Sequence, residues 1–205
     1  NPSGPFTTST LQQTASSKLG FGASRTMQIA QRLYQGIDIE GDTVGLITYM
    51  RTDGTNISKD AIETFRSYIS NNFGKNYLPQ SSLNYSGKKA KNAQEAHEAI
   101  RPTEISRNPE SLKKYLSSDQ YKLYNLIWSR ALSSQMESAK FDRKTITITS
   151  KDKENIFKAS GSVLKFDGYL KLTNIEDENE NDKILPDVEK GSVNINEFID
   201  EQHFT

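Results

Sequence analysis

Gly45-Leu46-Ile47-Thr48-Tyr49-Met50-Arg51-Thr52-Asp53 is the most informative stretch of this 205-residue chain. The apolar run that leads into it, Val44 to Ile47, predicts a short buried strand. The chain then passes Tyr49 and Arg51 into a polar turn, residues 51–56. Because residues two apart in an extended chain point to the same side, we expect the phenol and the guanidinium to project together.

A tyrosine beside an arginine suits nucleophilic attack on a phosphodiester. A free phenol has a pKa of about 10, so it is mostly protonated at neutral pH and is a poor nucleophile. A guanidinium fixed beside it stabilises the phenolate and binds a phosphate through two parallel hydrogen bonds. The alternative is structural: Tyr49 lies in the core with its hydroxyl hydrogen-bonded, and Arg51 is a surface residue at the end of a strand.

A second polar cluster is His97-Glu98-Ala99-Ile100-Arg101. It resembles the His-Glu-x-x-His pattern of zinc proteases, but its fifth residue is an arginine, which cannot bind a metal cation. The segment predicts a short helix that ends before the next proline and carries His97 and Arg101 on one face. That pair suits phosphate binding, and the imidazole can transfer a proton. In the alternative, His97 packs under a loop and Arg101 pairs with Glu98 or Glu104.

A third segment, residues 7–13, places hydroxyl and amide side chains at the start of a predicted helix. Ser9 or Thr10 is the expected cap of this helix, which covers Leu11–Leu19 and ends at Gly20. Exposed N–H groups at a helix N-terminus favour an anion. Contact with a nucleic-acid backbone is therefore expected, through four side chains: Thr8, Ser9, Thr10 and Gln13. The alternative is that these residues only cap the helix.

The first two thirds of the chain predict helices and the last third predicts strands, which makes the fold class α+β. The other expected helices are Arg25–Tyr34 capped by Ser24, one capped by Ser58, one opened by Asn108-Pro109, and a long one capped by Ser118. The expected strands are Thr145–Thr149, Ile156–Ser160, Val163–Phe166, Tyr169–Leu172 and Val193–Ile199, with an acidic loop at Glu176–Asp182. A domain boundary is therefore expected near residue 140.

Composition limits what the protein can be. Cysteine is absent, which excludes disulfides, thiol catalysis and cysteine-bound zinc. No apolar run approaches the roughly 20 residues needed to cross a bilayer, so no membrane partner is expected. The net charge of zero hides an asymmetry: residues 1–140 hold 17 Lys and Arg against 12 Asp and Glu, while residues 141–205 hold 9 against 14. A polyanion is therefore expected to bind residues 1–140 rather than residues 141–205.

Three segments of the chain resemble the signatures of type IA DNA topoisomerases, the bacterial topoisomerase I class. They are Pro5 to Gln13, Gly45 to Asp53 and Gln94 to Pro102. A looser resemblance extends from about Pro5 to Thr205, which would be the central part of such an enzyme. Gly54 is a departure, since the family usually carries serine there.

The resemblance implies that the chain contains two domains and that the metal ligands of the enzyme belong to a further domain. Residues 5–138 would be the helical domain with the catalytic tyrosine, and residues 141–205 would be part of a β-rich domain that arches over a DNA-sized hole. Family members bind Mg²⁺ through acidic residues of a separate domain, so the metal ligands are expected outside this chain. The chain alone is then expected to be inactive, with the rest of the same polypeptide as its partner.

The resemblance also implies a reaction. Tyr49 would attack one strand of single-stranded, negatively supercoiled DNA and form a 5′-phosphotyrosyl link. Another strand would pass through the gap, and the break would be resealed without ATP. Arg51 would hold the scissile phosphate, and His97 and Arg101 would assist through phosphate contacts or proton transfer. The expected location is the bacterial cytoplasm, at the nucleoid.

Two other interpretations start from the same residues. Tyrosine recombinases and type IB topoisomerases also combine His-x-x-x-Arg with a tyrosine, but their tyrosine follows the basic cluster, whereas Tyr49 precedes His97 by 48 residues. The second alternative is a non-catalytic DNA-binding or scaffolding module in which Tyr49 is structural. An accessible Tyr49 hydroxyl close to Arg51 favours the enzyme, and a buried Tyr49 with core contacts favours the module.

Overall fold

The fold was analysed in a computed structural model that describes residues 1–85, 97–173 and 185–191. The chain forms two compact units. One unit is made of Asn1–Ala139 and Asp167–Ile175, and the other of Lys140–Phe166 and Glu176–Thr205. Helices combined with small antiparallel sheets give the α+β class that the sequence predicts.

The first unit is mostly helical. Its α-helices in the described residues are α1 (Thr8–Leu19), α2 (Ala23–Gln35), α3 (Lys59–Asn72), α4 (Pro109–Leu112) and α5 (Ser118–Ser133). Helix α5 packs against α1, α2 and α4. Apolar residues recur at helical spacing along α5 and are buried: Tyr124, Ile127, Trp128, Ala131 and Leu132. This stripe forms the centre of a core to which α1, α2 and α3 also contribute.

Two of the helix starts are defined by capping boxes that the sequence analysis placed one to three residues too late. Thr7, and neither Ser9 nor Thr10, caps α1, because its hydroxyl accepts from the Thr10 N–H while the Thr7 N–H donates to the Thr10 hydroxyl. Ser117 caps α5 in the same way, so the expected cap Ser118 is the first helical residue. The start of α2 was also misplaced, since its cap is Gly22 rather than Ser24. Ser58 caps α3 as expected.

A small hairpin separates α2 from the segment that carries Tyr49. Strands β1 (Ile37–Ile39) and β2 (Asp42–Val44) pair antiparallel around Glu40 and Gly41, both of which have positive φ. The predicted strand over Val44–Ile47 is therefore wrong, because β2 ends where that strand was expected to begin. The following residues are deeply buried, but Ile47 forms only an isolated bridge, to Pro102.

The second unit contains a long antiparallel pair, β3 (Lys140–Thr149) and β4 (Ile156–Phe166). The strand predicted over Thr145–Thr149 is confirmed within β3, and the two strands predicted over Ile156–Ser160 and Val163–Phe166 are one continuous strand, β4. The strand predicted over Tyr169–Leu172 is wrong, because a short 3₁₀ helix covers Gly168–Leu172 in the first unit. Gly168 has a φ of 51°, and a Cβ there would lie 2.5 Å from the Glu137 carbonyl oxygen, which favours a tight turn over a strand.

Two predicted features, the acidic loop at Glu176–Asp182 and the strand at Val193–Ile199, lie outside the described residues. Within the described part of the chain, no helix is both long enough and apolar enough to span a membrane.

Candidate active site

The three polar segments singled out in the sequence meet in the first unit. The Ile100 N–H donates to the Phe6 carbonyl at 2.8 Å, which joins the segment at residues 97–101 to the start of the chain. The Thr48 N–H donates to the Arg101 carbonyl at 2.9 Å, which joins the segment before Tyr49 to the same place. Residues far apart in sequence are therefore fixed beside Tyr49 by backbone hydrogen bonds.

The helix predicted over His97–Arg101 is wrong. This segment contains a bend at His97 and an isolated bridge from Ile100 to Phe6, and the N–H groups of residues 99–101 bond to distant partners. The Ala99 N–H, for example, donates to the Asn56 carbonyl at 2.9 Å. The neighbouring residues Gln94–Ala96 lie outside the described residues. Pairing with other segments decides the conformation here, and a local sequence pattern does not reveal such partners.

Thr8 fastens the start of α1 to the chain that follows Tyr49. Its hydroxyl donates to the Met50 carbonyl at 2.7 Å and accepts from the Thr52 N–H at 2.8 Å. The Thr8 N–H donates to the Thr52 carbonyl, also at 2.8 Å. We call these three bonds the Thr8 clamp. The clamp makes Thr8 a positioning residue, and its expected contact with DNA stays a prediction.

The other expected contacts on α1 are more accessible. Ser9 and Gln13 are exposed, whereas the Thr10 hydroxyl takes part in the capping box with Thr7. The structure thus places Ser9 and Gln13 where a ligand could reach them. Their contact with a nucleic-acid backbone, like that of Thr10, stays a prediction.

The Tyr49 ring is held between two other rings. It lies edge-on to Tyr34, with centroids 5.4 Å apart, and tilted against His97 at 5.1 Å. The side chain is half-buried against the core. Within the described residues, no hydrogen bond ties its hydroxyl. A fixed ring with an untied hydroxyl fits a nucleophile better than a structural tyrosine, which usually bonds its hydroxyl when buried.

Arg51 is exposed and lines a groove of about 880 Å³ that runs along α2, here called the α2 groove. No described residue forms an ion pair with its guanidinium. The arginine, two residues along the chain from the tyrosine, is therefore available for an anion.

His97 and Arg101, which were predicted to bind phosphate as a pair, have different contacts in the structure. His97 is exposed and contacts the Tyr49 ring. Arg101 has a side chain only 12% exposed, and its Nε lies 2.6 Å from a Glu98 carboxylate oxygen. Its Nη1 donates to the Pro102 carbonyl at 2.9 Å. The ion pair with Glu98 that the sequence allowed is formed, so a phosphate contact by Arg101 would require exchange of this partner.

Gly54 connects the tyrosine segment to His97. A Cβ at this position would lie 2.5 Å from the His97 carbonyl oxygen and 3.2 Å from the Thr52 hydroxyl. The serine usual in the resembled family would therefore need the His97 backbone to move. Gly54 is therefore closely packed against the His97 backbone, and this turn position does not accept a larger residue without rearrangement.

The described residues do not fit a metal site. No three histidine, aspartate or glutamate side chains within them come close enough together to hold an ion. No chemical step below depends on a metal bound by this chain.

The sequence analysis missed the residues that surround the tyrosine from α2. Tyr34, at the end of the helix predicted over Arg25–Tyr34, is 40% exposed and lies beside Tyr49. The α2 groove is lined by side chains three or four residues apart, notably Arg25, Gln28, Gln31, Arg32 and Gln35. This helical spacing of polar residues was visible in the sequence, and it is the signal that could have revealed the groove.

Comparison with known proteins gives one consistent family. A family model described as DNA topoisomerase matches residues 1–205. A protein named DNA topoisomerase 1 from Rickettsia felis is 51% identical over the whole chain, which spans 27% of that relative. The namesake from Helicobacter pylori is 50% identical over 91% of the chain and 24% of its own length. The solved structure of full-length topoisomerase I from Thermotoga maritima matches with a TM-score of 0.77 and 42% identity, over 92% of this chain and 29% of that one.

Proposed function

The chain belongs to the type IA DNA topoisomerase family, and on that premise we propose that Tyr49 is the nucleophile that cleaves one DNA strand. Its phenolic oxygen attacks the phosphorus of a phosphodiester in single-stranded DNA and gives up its proton. The bond between phosphorus and the 3′ oxygen breaks, and that oxygen takes up a proton. The 5′ phosphate of the downstream strand is then linked to Tyr49.

The activity of the whole enzyme follows from this link. The chain spans about a quarter of the length of its curated relatives, so strand passage would involve parts of the protein beyond it. Another strand passes through the gap, and the free 3′ hydroxyl attacks the phosphotyrosine to reseal the break. Because the covalent link conserves the energy of the phosphodiester, the relaxation of negatively supercoiled DNA needs no ATP. The site of action would be the bacterial nucleoid.

The convergence of three distant segments on Tyr49 is the observation that carries this proposal. The Thr8 clamp holds the backbone that follows the tyrosine, and the Thr48 bonds hold the backbone before it. A nucleophile held in this way loses little freedom on reaching the transition state. The untied hydroxyl at the edge of the core leaves the attacking atom accessible to a strand.

Arg51 and His97 complete the proposed site. Arg51 would hold two oxygens of the scissile phosphate and stabilise the charge that develops on them. His97, in ring contact with Tyr49, would move a proton or contact the phosphate. Arg101 would act mainly through its neighbours, since its guanidinium is bound to Glu98.

Magnesium would be supplied by another part of the enzyme. The described residues form no metal site. The proposed Mg²⁺ ligands, as the family implies, would belong to another domain of the full-length enzyme. Such an ion would stabilise charge at the phosphate when bound.

Covalent capture of DNA by the full-length enzyme tests the proposal. An oligonucleotide labelled on its 3′ segment should become attached to the wild-type protein, because that segment carries the 5′ phosphate. Tyr49→Phe keeps the ring and its packing but removes the attacking oxygen, so this variant should capture no DNA. Tyr34→Phe is the matched control, since it removes the hydroxyl of the neighbouring ring, and it should still capture DNA. Capture by Tyr49→Phe at the same bond would refute the assignment.

The rival function is a non-catalytic DNA-binding or scaffolding module. The packing of Tyr49 against the core is the observation in its favour. The same experiment separates the two, because a module would bind the oligonucleotide without any covalent product. A wild-type enzyme that binds but never captures the strand would favour the module.

A further inference from the structure

The α2 groove contains more cationic and amide side chains than a single scissile phosphate needs. One wall is a face of α2 that carries Arg25, Gln28, Gln31, Arg32 and Gln35 at helical spacing. At a rise of 1.5 Å per residue, the groove-lining positions from residue 24 to residue 35 extend over about 16 Å. The groove therefore offers a row of contacts rather than a single point.

The charged side chains that line the groove favour binding of an anion. Arg32 and Arg51 are exposed, and no described residue forms an ion pair with either guanidinium. Arg25 is fixed differently: its guanidinium stacks 4.9 Å from the centre of the Phe21 ring and pairs with Asp119 at the start of α5. The three arginines outweigh the single aspartate that lines the groove.

The remaining polar groups narrow the choice of ligand. Glutamine amides both donate and accept hydrogen bonds, as a ligand with phosphate oxygens and exposed base edges requires. Arginine guanidiniums bind phosphates in a two-pronged geometry. A row of guanidiniums and amides in an open groove is typical of a surface that follows the backbone of a single nucleic-acid strand.

We propose that the α2 groove binds the DNA strand on the 3′ side of the cleaved bond, which is the segment that stays joined to Tyr49. This inference rests on the proposed function. Arg51, which is two residues along the chain from Tyr49, lines the groove, so the groove includes the arginine proposed to hold the scissile phosphate. Arg51 holds the scissile phosphate, and Arg32 and Arg25 hold phosphates further along. The cleaved end is thereby retained on the unit that carries the nucleophile.

Asp119 sets the strength of this binding. Asp119 lines the groove in which the proposed DNA strand would lie, and its carboxylate forms an ion pair with Arg25. Arg25 must therefore exchange a carboxylate for a phosphate when DNA enters. Asp119→Asn removes the repulsion and frees Arg25, so this variant should bind the strand more tightly than the wild type. A purely structural salt bridge would not give that gain.

The test uses the full-length enzyme and oligonucleotides that share one cleavage site. One has a 3′ flank of a single nucleotide beyond the scissile phosphate, and the other has a flank of about five nucleotides, which at the duplex rise of ~3.4 Å per nucleotide already covers the length of the groove. Arg32→Gln should weaken binding of the long-flank oligonucleotide roughly tenfold, the usual scale of one charge-assisted contact. The slope of log affinity against log salt should fall by about 0.7 for that oligonucleotide.

The controls separate this inference from the proposed function. Arg143→Gln removes an exposed arginine of β3 that lies outside the groove and should change nothing. Covalent capture through Tyr49 that is indifferent to flank length and to Arg32→Gln would overturn the groove but leave the nucleophile intact. If Arg32→Gln weakens both oligonucleotides equally and lowers the melting temperature, the groove holds another part of the protein, and the inference fails. If the wild-type enzyme captures no DNA, both proposals fail.

Discussion

Thr8 shows how a residue that makes no chemical step can control a site. The Thr8 clamp joins the first turn of α1 to the backbone on the far side of Tyr49. The sequence suggested a contact with DNA for this hydroxyl, because hydroxyls at a helix N-terminus favour anions. Its partners come from residues more than 40 positions away, and no local pattern indicates them.

Thr8→Val should therefore loosen the tyrosine segment. Valine keeps the shape of threonine but leaves the Thr52 N–H and the Met50 carbonyl without the side-chain partner, at a cost of about 1–3 kcal/mol in the free energy of unfolding. Covalent capture of DNA by the full-length enzyme should also slow. Thr14→Val on the same helix is the control, since the described residues give its hydroxyl no bond. Equal stability of the two variants in urea would show that the clamp contributes nothing.

Arg51 should not tolerate replacement by lysine. Lysine keeps the charge but cannot place two donors on two phosphate oxygens at once. By analogy with the loss of other donors that stabilise a transition state, Arg51→Lys should slow covalent capture by about 10²-fold or more. Arg143→Lys provides a matched control on the exposed strand β3. A capture rate at the wild-type level would mean that Arg51 does not hold the scissile phosphate.

Elements defined by their own residues were predicted well, and elements defined by distant partners were not. The helices α1, α2, α3 and α5 have apolar residues at helical spacing, which the sequence shows directly, although of their N-terminal caps only that of α3 was predicted at the correct residue. The hairpin of β1 and β2 was missed, although Gly41 and the alternation of Ile37 and Ile39 are hairpin signals. The extended segment at 97–101 was taken for a helix because its bonds to Phe6 and Asn56 leave no trace in its own sequence.

Glu40, at the tip of the β1–β2 hairpin, makes contacts whose strength depends on pH. The Tyr115 hydroxyl donates to the Glu40 carboxylate, and the Lys114 ammonium lies 3.6 Å from it. The hydrogen bond from Tyr115, followed by the charge of Lys114, lowers the pKa of Glu40 below its ordinary value of 4.5. A carboxyl with a lowered pKa stabilises the fold at pH above its ordinary value and loses that effect as the pH falls through the folded value.

Acid should therefore release the tip of the hairpin before the rest of the unit. The measurement is the rate of amide hydrogen exchange at residues 40–42. It is expressed as the wild-type rate divided by the Tyr115→Phe rate, so that the intrinsic pH dependence of exchange cancels. The ratio should show protection at neutral pH and approach one in acid. A ratio that stays constant over the whole range would show that the Glu40 contact has no effect on the hairpin.

At the scale of the whole molecule, the first unit is not a continuous piece of chain. It includes Asp167–Ile175 as well as Asn1–Ala139. The Tyr77 hydroxyl donates to Asp167 at 2.7 Å, and the Tyr169 N–H donates to the Glu137 carbonyl at 2.9 Å. The sequence analysis placed the end of the helical domain at residue 138. That boundary stays a prediction, but a chain cut there would lose these contacts.

The chain by itself should not relax DNA. It carries the proposed nucleophile, but its described residues form no metal site, and it spans 27% of a curated relative. Residues 1–140 have a net charge of +5, so weak and salt-dependent DNA binding is expected. The assay is incubation of the purified chain with supercoiled plasmid and Mg²⁺. Relaxation by this chain would mean that the whole active site lies within its 205 residues.

Tyr49 is the residue proposed to form the covalent link to DNA, and identifying the residue that carries the DNA tests this assignment. The full-length enzyme is trapped on a single-stranded oligonucleotide, digested with protease and nuclease, and analysed by tandem mass spectrometry. We predict a nucleotide attached through its 5′ phosphate to the tyrosine of the peptide that contains Tyr49. A nucleotide on Tyr34 or on any other residue, or one attached through its 3′ phosphate, would contradict the account.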